Sequence, residues 1–137
     1  ILLAVLLAAS CGCTTAVSSQ FPDTLPMNVA FCDLDAQEGS LVQTSALFSG
    51  TDEYWSTYSA NECDLNHNVY LNFDELTKGR GCKRVIRKLR RFRNDYDSKL
   101  AEMEIIGEFQ AKESIGFGHL ALCDFQIIVY KMKIKDR

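Results

Sequence analysis

The segment GFGHL, residues 116–120, contains the side chain best suited to acid–base chemistry, His119. An imidazole titrates near neutral pH, so His119 could act as the general base of a hydrolase. The nearby carboxylate and hydroxyl side chains, however, have no recognised catalytic spacing relative to it. The alternative is a turn in which Gly116 and Gly118 adopt positive φ and the His119 ring bonds backbone groups. That geometry accounts for the glycines without catalysis, so we favour the turn and predict a protein that is not an enzyme.

A second pattern has the spacing of a calcium-binding loop. Position six of such a loop needs glycine for its sharp turn, but here it is Val69, and no good helix leads into the segment. A turn followed by a strand explains the same residues, and we favour it and expect no cofactor. The candidate ligands at positions one, three, five, nine and twelve are Asp64, Asn66, Asn68, Asn72 and Glu75.

Positive charge is concentrated in one segment. Residues 83–93 carry +7 and the rest of the chain −10, which together give the net charge of −3. Two interpretations stay open: a solvated helix face, or contact with an anionic partner that relieves the repulsion among the cations. For an exported protein, that partner would be an anionic envelope polymer, an anionic lipid or an acidic protein, and nucleic acid is less expected. The cations are Lys83, Arg84, Arg87, Lys88, Arg90, Arg91 and Arg93.

Aromatic side chains in two short β-rich segments could stack on sugars or bases. The alternative is packing in the core, because side chains alternate along a strand and only some of them can face outward. With the histidine of the GFGHL segment, the candidate ligand-binding residues are Tyr54, Trp55, Tyr58, Tyr70 and His119.

The elements that must position these residues follow from periodicity. Three β-rich segments precede one helical segment, residues 82–96, in which apolar side chains recur at helical spacing, and two more β-rich segments follow. This order predicts a mainly β protein. Its expected form is a five-stranded Greek-key barrel of the oligonucleotide/oligosaccharide-binding (OB) type, with one amphipathic helix between strands three and four. A simple α+β sheet is the alternative. The predicted strands are residues 40–48, 53–58, 68–73, 103–109 and 125–134.

The first ten residues, ILLAVLLAAS, are uncharged and apolar, too short for a membrane span and typical of the core of a secretory signal peptide. Cys11 follows small residues, as in the lipobox of bacterial lipoproteins, so acylation of Cys11 and plain cleavage are both open. We predict residues 1–10 as a truncated signal segment, residues 11–28 as a tether and residues 29–137 as the barrel domain. The protein is expected to be exported: periplasmic, a cell-surface lipoprotein or secreted.

Four cysteines lie in the predicted domain, and an oxidising compartment would pair some of them. Antiparallel strands reverse direction, so strands one and three of the barrel begin at the same end, which brings Cys32 near Cys63. The third strand spans about 17 to 20 Å. That is too far for a bridge from Cys63 to Cys82, because bridged Cα atoms lie about 4.4 to 6.8 Å apart. We predict a Cys32–Cys63 disulfide. Strand five of this barrel is expected to run parallel to strand three, which places Cys123 at the same end and leaves Cys82 without an evident partner.

The segments EIIGEF (104–109), GFGHL (116–120) and FQIIV (125–129) resemble the last two strands, and the turn between them, of a family of small exported bacterial proteins of unknown function. FCDL at residues 31–34 and VYLNF at residues 69–73 are similar to that family's opening segment and third strand. The resemblance implies an OB-like barrel and export, and it implies no activity.

A more distant resemblance is to tissue inhibitors of metalloproteinases. These begin Cys-x-Cys, as residues 11–13 do, continue to a Phe-Cys, as at residues 31–32, and use the same barrel. The resemblance implies that Cys11, exposed by cleavage, would grip the zinc of a target enzyme. From the sequence as a whole, we expect an exported, non-enzymatic binding or envelope-associated module.

Overall fold

The computed structural model describes residues 24–50, 55–78, 83–93 and 101–135, and the side chains at 49–50, 55–56 and 90–93 lie outside that description. Within these ranges the chain forms six strands, two α-helices and two short 3-10 helices, Phe31–Gln37 and His119–Ala121. The strands are β1 (Met27–Asn28), β2 (Leu41–Gly50), β3 (Trp55–Tyr58), β4 (Val69–Asn72), β5 (Ala101–Ala111) and β6 (Phe125–Lys135), and the helices are α1 (Asp74–Lys78) and α2 (Lys83–Arg93).

The strands form one mixed sheet in the order β1-β2-β5-β6-β4, and β3 pairs with the second half of β2. β5 is antiparallel to both β2 and β6, whereas β4 runs parallel to β6 and β1 runs parallel to β2. The mainly β class is confirmed. The parallel arrangement predicted for the third and fifth barrel strands is also found, as β4 beside β6.

The predicted closure into a barrel is not confirmed. Among the described residues, no ladder joins β3 to β4, so the sheet is not closed. β4 has only four residues, and turns occupy much of the segment between it and β3. β3 instead meets that segment where the backbone N–H of His67 donates to the carbonyl of Thr57 at 3.0 Å. The ladder that would complete a five-stranded barrel is therefore the one that is missing.

The five predicted strands correspond to β2 through β6, with ends displaced by a few residues. Two differences concern the start of the domain. Met27 and Asn28, which the sequence assigns to the tether, form β1 against Val42 and Gln43. The segment that follows is a 3-10 helix that buries Phe31 and, three residues later, Leu34. That spacing matches the three-residue turn of a 3-10 helix.

The prediction of a single helix between the third and fourth strands is wrong, because α1 precedes α2 there. Asn72 initiates α1: its side-chain Oδ1 accepts the backbone N–H of Asp74 at 3.0 Å. The N–H of Thr77 then donates to the carbonyl of Phe73 at 2.9 Å. A side-chain acceptor at this position satisfies a backbone donor that a new helix leaves without a partner.

The core lies against one face of the sheet and follows the two-residue period of the strands. Met103, Ile105 and Phe109 of β5 are fully buried and Gly107 is buried with them, while the alternate residues Glu104, Ile106 and Glu108 are partly exposed. Burying a side chain of this size contributes roughly 1.5–3 kcal/mol. Leu89 of α2 is also fully buried, so the helix is fixed to the same core. The exposed cations of α2 lie on the face of the helix opposite Leu89.

Candidate functional site

The loop between β5 and β6, residues 112–124, is a small hairpin of its own. Phe117 and Cys123 form an antiparallel bridge, in which the N–H of Phe117 donates to the carbonyl of Cys123 at 2.7 Å. The backbone has positive φ at Gly118 (75°), and also at Leu120 and Ala121 (55° each). Positive φ is costly for residues with a side chain, so the surrounding structure must hold this turn in place.

The backbone geometry explains why both Gly116 and Gly118 are glycine, but only Gly118 is required by a positive φ. Gly118 has positive φ, and a Cβ there would lie 2.8 Å from the ring of Tyr70. Gly116 does not have positive φ, so that part of the prediction is wrong. It is instead packed against the carbonyl oxygens of Ala121 and Cys123, the second of which would be 2.7 Å from a Cβ. The turn therefore needs glycine once for conformation and once for close approach.

His119 begins the short 3-10 helix of this hairpin and its side chain is exposed. This position agrees with the favoured prediction, a turn. General-base catalysis by His119 stays the alternative prediction. Its neighbour Cys123 is a half-buried free thiol. Burial, and then the Asp124 carboxylate, raise the pKa of this thiol. A raised pKa favours the protonated form, which is a poor nucleophile.

Asn68 joins the start of β4 to the end of the hairpin. Its Oδ1 accepts the backbone N–H of Asp124 at 2.7 Å, and its carbonyl accepts the N–H of Phe125 at 3.2 Å. The carboxylate of Asp124 also pairs with Lys112 at the other end of the loop. Hydrogen bonds from Lys112 and Asn68 lower the pKa of Asp124. Both ends of the loop are thereby tied to one carboxylate.

The candidate calcium ligands are not brought together in one loop. Strand β4 separates Asn68 from Asn72, about 13 Å apart at the rise of an extended chain. Asn66 accepts the N–H of Ser59 at 2.7 Å and donates to the carbonyl of Asn61 at 2.9 Å. Glu75 pairs with Lys78 at 2.6 Å. Together with the roles of Asn68 and Asn72 above, these contacts give four of the five residues structural partners.

The fifth candidate, Asp64, is exposed at the start of the turn that precedes β4. Across the ranges that the structure describes, no group of three or more His, Cys, Asp or Glu side chains has the proximity needed to hold an ion. The turn-plus-strand interpretation describes what the chain does between residues 64 and 75.

The candidate aromatic surface is partly packed. Tyr58 is half-buried and stacks on His67 with ring centroids 5.0 Å apart. Tyr70 is half-buried on β4, where the hairpin covers it through Gly118. Burial raises the pKa of both phenols, and the nearby Asp74 and Cys123 raise that of Tyr70 further. Tyr54 and the side chain of Trp55 lie outside the described residues.

A chain of polar side chains crosses the outer face of β5 and β6. The amide of Gln126 donates to Gln110 at 2.7 Å, and the amide of Gln110 donates to Glu108 at 2.8 Å. The hydroxyl of Tyr130 donates to the same carboxylate at 3.3 Å. Burial and the carboxylates of Glu108 and Glu75 raise the pKa of Tyr130. These hydrogen bonds join the four side chains into one polar network, in which Gln126 is buried.

Helix α2 packs against the core and exposes cations to solvent. Lys83, Arg84 and Arg87 are exposed, whereas Leu89 is fully buried in the core. The first turn of α2 contains no acidic residue. Cations near a helix N-terminus oppose the macrodipole, by about 0.3–1 kcal/mol each at an exposed site. Lys88 is half-buried, and the side chains of Arg90, Arg91 and Arg93 lie outside the described part of the structure.

The predicted disulfide is confirmed. Cys32 and Cys63 are bonded, with Cα atoms 5.8 Å apart. The bridge ties the first 3-10 helix to the segment before β4. Cys11, Cys13 and Cys82 lie outside the described residues, so neither lipidation of Cys11 nor an inhibitor-like N-terminus is addressed by the fold.

One feature of the hairpin was not predicted. Ile115, Leu120 and Leu122 are large aliphatic side chains that project into solvent. The sequence does contain a signal for this feature, because these residues lie in a glycine-rich turn and fit neither a strand nor a helix period.

Comparisons with protein-family models, curated proteins and solved structures find nothing significantly similar to this chain. In the described residues, every helix is too short or too polar to cross a membrane.

Proposed function

We propose that this chain is an exported, non-enzymatic binding module whose helix α2 contacts an anionic polymer of the cell envelope. The proposal is carried by one observation. Lys83, Arg84 and Arg87 are exposed on a helix whose first turn has no acid and whose other face is anchored by Leu89.

Helix stability does not explain this arrangement. Cations in the first turn destabilise a helix, and like charges three or four residues apart repel each other. An anionic partner at the same surface removes both penalties and gains from every cation. A polymer suits the surface better than one small anion does, because the cations follow the length of the helix.

The architecture proposed for the module is an open OB-like barrel. The ladders β2–β3, β2–β5, β5–β6 and parallel β4–β6 support it, since an OB barrel uses these neighbours and is often only partly closed. The Cys32–Cys63 bridge is compatible with an oxidising, extracytoplasmic location. Kinship with the family of small exported bacterial proteins is part of the same proposal.

Binding of a labelled poly(glycerol phosphate) to the whole chain, measured by fluorescence anisotropy at low salt, tests the proposed function. The variant Lys83→Gln/Arg84→Gln/Arg87→Gln is expected to bind about 100-fold more weakly, at roughly 1 kcal/mol per cation beside an anionic surface. The control Lys78→Gln/Lys131→Gln/Lys133→Gln removes the same charge elsewhere and is expected to bind almost normally. Equal losses in the two variants, or no binding by the parent chain, would overturn the proposal.

The same assay separates the other partners. Preference for anionic vesicles over the polymer would assign α2 to lipid headgroups. Binding to an acidic protein but to neither polymer nor vesicles would assign it to a protein surface. In each of those outcomes the polymer proposal is wrong.

A further inference from the structure

The largest exposed aliphatic side chains of the described residues lie at one end of the sheet. Ile115, Leu120 and Leu122 of the β5–β6 hairpin are 76%, 70% and 63% exposed, and Leu25, just before β1, is 90% exposed. Single exposed leucines are ordinary on protein surfaces. One isoleucine and two leucines are exposed within this short hairpin, and we define Ile115, Leu120 and Leu122 as the apolar tip.

The chain enters the sheet at the same end. The end of β5 pairs with the start of β2, since Leu41 lies opposite Glu108, and the hairpin follows β5 directly. β1 runs parallel to β2, with Met27 opposite Val42. The residues before β1, including Leu25, therefore extend towards the end of the sheet that carries the apolar tip. The described part of the chain, which begins at residue 24, therefore enters the sheet from this end.

The fold holds the tip outward at a conformational cost. Leu120 and Ala121 have positive φ, which residues with side chains avoid. Two contacts hold the base of the hairpin closed. One is the backbone bridge between Phe117 and Cys123, and the other is the ion pair between Lys112 and Asp124. Leu120 and Leu122 project into solvent from this constrained turn.

Charge near the tip does not point to an anionic partner. The loop contains Lys112, Glu113 and Asp124, and the lysine pairs with one of the two carboxylates.

We propose that the apolar tip inserts into the interfacial region of a lipid bilayer and so orients the domain on a membrane. The occupant is lipid because the tip is a projecting aliphatic surface at the end of the sheet towards which exposed Leu25 extends, and because the sequence before Leu25 contains a lipobox-like cysteine, Cys11. The insertion is hydrophobic and needs no anionic headgroup. It does not depend on the polymer site of α2, which would remain free for its own ligand.

The test uses hydrogen exchange, followed by mass spectrometry, in the whole chain carrying Cys11→Ser, so that no acyl group contributes. Zwitterionic phosphatidylcholine vesicles are the probe. Residues 1–10 are apolar and uncharged, so total binding of the whole chain does not report on the tip alone, and the readout is protection of amides 115–122. We expect those amides to exchange about tenfold more slowly with vesicles, a change of about 1.4 kcal/mol. Protection should be equal at low and physiological salt.

Two variants make the result specific. Leu120→Ser/Leu122→Ser should lose the vesicle-dependent protection, while Glu113→Gln/Ser114→Ala, in the same loop, should keep it. Unchanged exchange of the β5 and β6 amides without vesicles shows that both variants are folded. The proposal is overturned if vesicles do not protect the loop, if the serine variant is protected equally, or if protection requires an envelope protein.

Discussion

Removal of the Cys32–Cys63 bridge, by the double substitution Cys32→Ala/Cys63→Ala, is expected to destabilise the whole domain. The bridge joins residues 31 positions apart. In the chain-entropy model, a loop of that length lowers the entropy of the unfolded chain enough to contribute about 3.5 kcal/mol to stability at 25 °C. Domains of this size are stable by about 5–15 kcal/mol, so the loss is a large fraction of the total.

The effect should extend beyond the bridge itself. Both cysteines pack against the core cluster, which includes Phe31, Leu34 and Leu65. Without the covalent tie, ordering the first 3-10 helix against the segment before β4 costs more chain entropy. A domain of roughly 100 residues loses about 4 °C or more in Tm per kcal/mol, so we expect Tm to fall by about 15 °C.

Urea denaturation of the oxidised parent and the double variant, followed by circular dichroism, measures this difference. The control is Cys123→Ala, which removes a half-buried free thiol and leaves the bridge intact. Its expected cost is below about 1 kcal/mol. A loss below about 1 kcal/mol in the double variant, or an equal loss in the control, would show that this loop does not stabilise the fold as argued.

Three further predictions follow from buried and strained positions. The hydroxyl of Thr44 is buried without a hydrogen-bond partner, so Thr44→Val should stabilise the domain by about 1 kcal/mol in urea denaturation, whereas Val42→Thr on the same strand should destabilise it. Gly116→Ala would push a Cβ into two carbonyl groups and should speed hydrogen exchange in the hairpin, with little change in β2. Burial and then the Asp124 carboxylate raise the pKa of Cys123, so Asp124→Asn, which removes the second cause, should speed iodoacetamide alkylation of Cys123 near pH 8, as read by peptide mapping; an unchanged rate would refute the coupling.

Stability should also depend on Asp124 at acid pH. Its pKa is lowered in the folded state, so its contribution is complete above the pKa of the unfolded chain and is lost as pH falls through the folded pKa. The difference in urea midpoint between the parent and Asp124→Asn should therefore shrink below about pH 4. A difference that stays constant with pH would contradict the proposed role of the Lys112 and Asn68 hydrogen bonds.

Strands β2, β4, β5 and β6 were predictable because each buries mainly one face. In β5, Met103, Ile105 and Phe109 lie on one face while Glu102, Glu104 and Glu108 lie on the other, which identifies a half-buried strand from sequence alone. The disulfide was predictable for a related reason: once the strand order is known, strand direction decides which cysteines meet. Both inferences use local period and connectivity, which the sequence contains.

The remaining features depend on tertiary contacts. No local period distinguishes a closed barrel from an open sheet, and whether β3 pairs with β4 depends on how residues 59–68 turn between them. Positive φ at Leu120 and Ala121 contradicts the local preference of both residues, so it could not be expected from sequence. Gly116 was identified as necessary for the wrong reason, because close approach of two carbonyls is a property of the folded hairpin.

The central claim, that α2 binds an anionic polymer through its exposed cations, is tested most directly by the salt dependence of binding to poly(glycerol phosphate). Each cation that neutralises a phosphate releases counterions and adds roughly 0.7–0.9 to the slope of log affinity against log salt concentration. Substituting glutamine at Lys83, Arg84 and Arg87 should therefore lower that slope by about 2, while the control at Lys78, Lys131 and Lys133 should leave it nearly unchanged. A slope that is the same in the parent and the α2 variant would contradict the account.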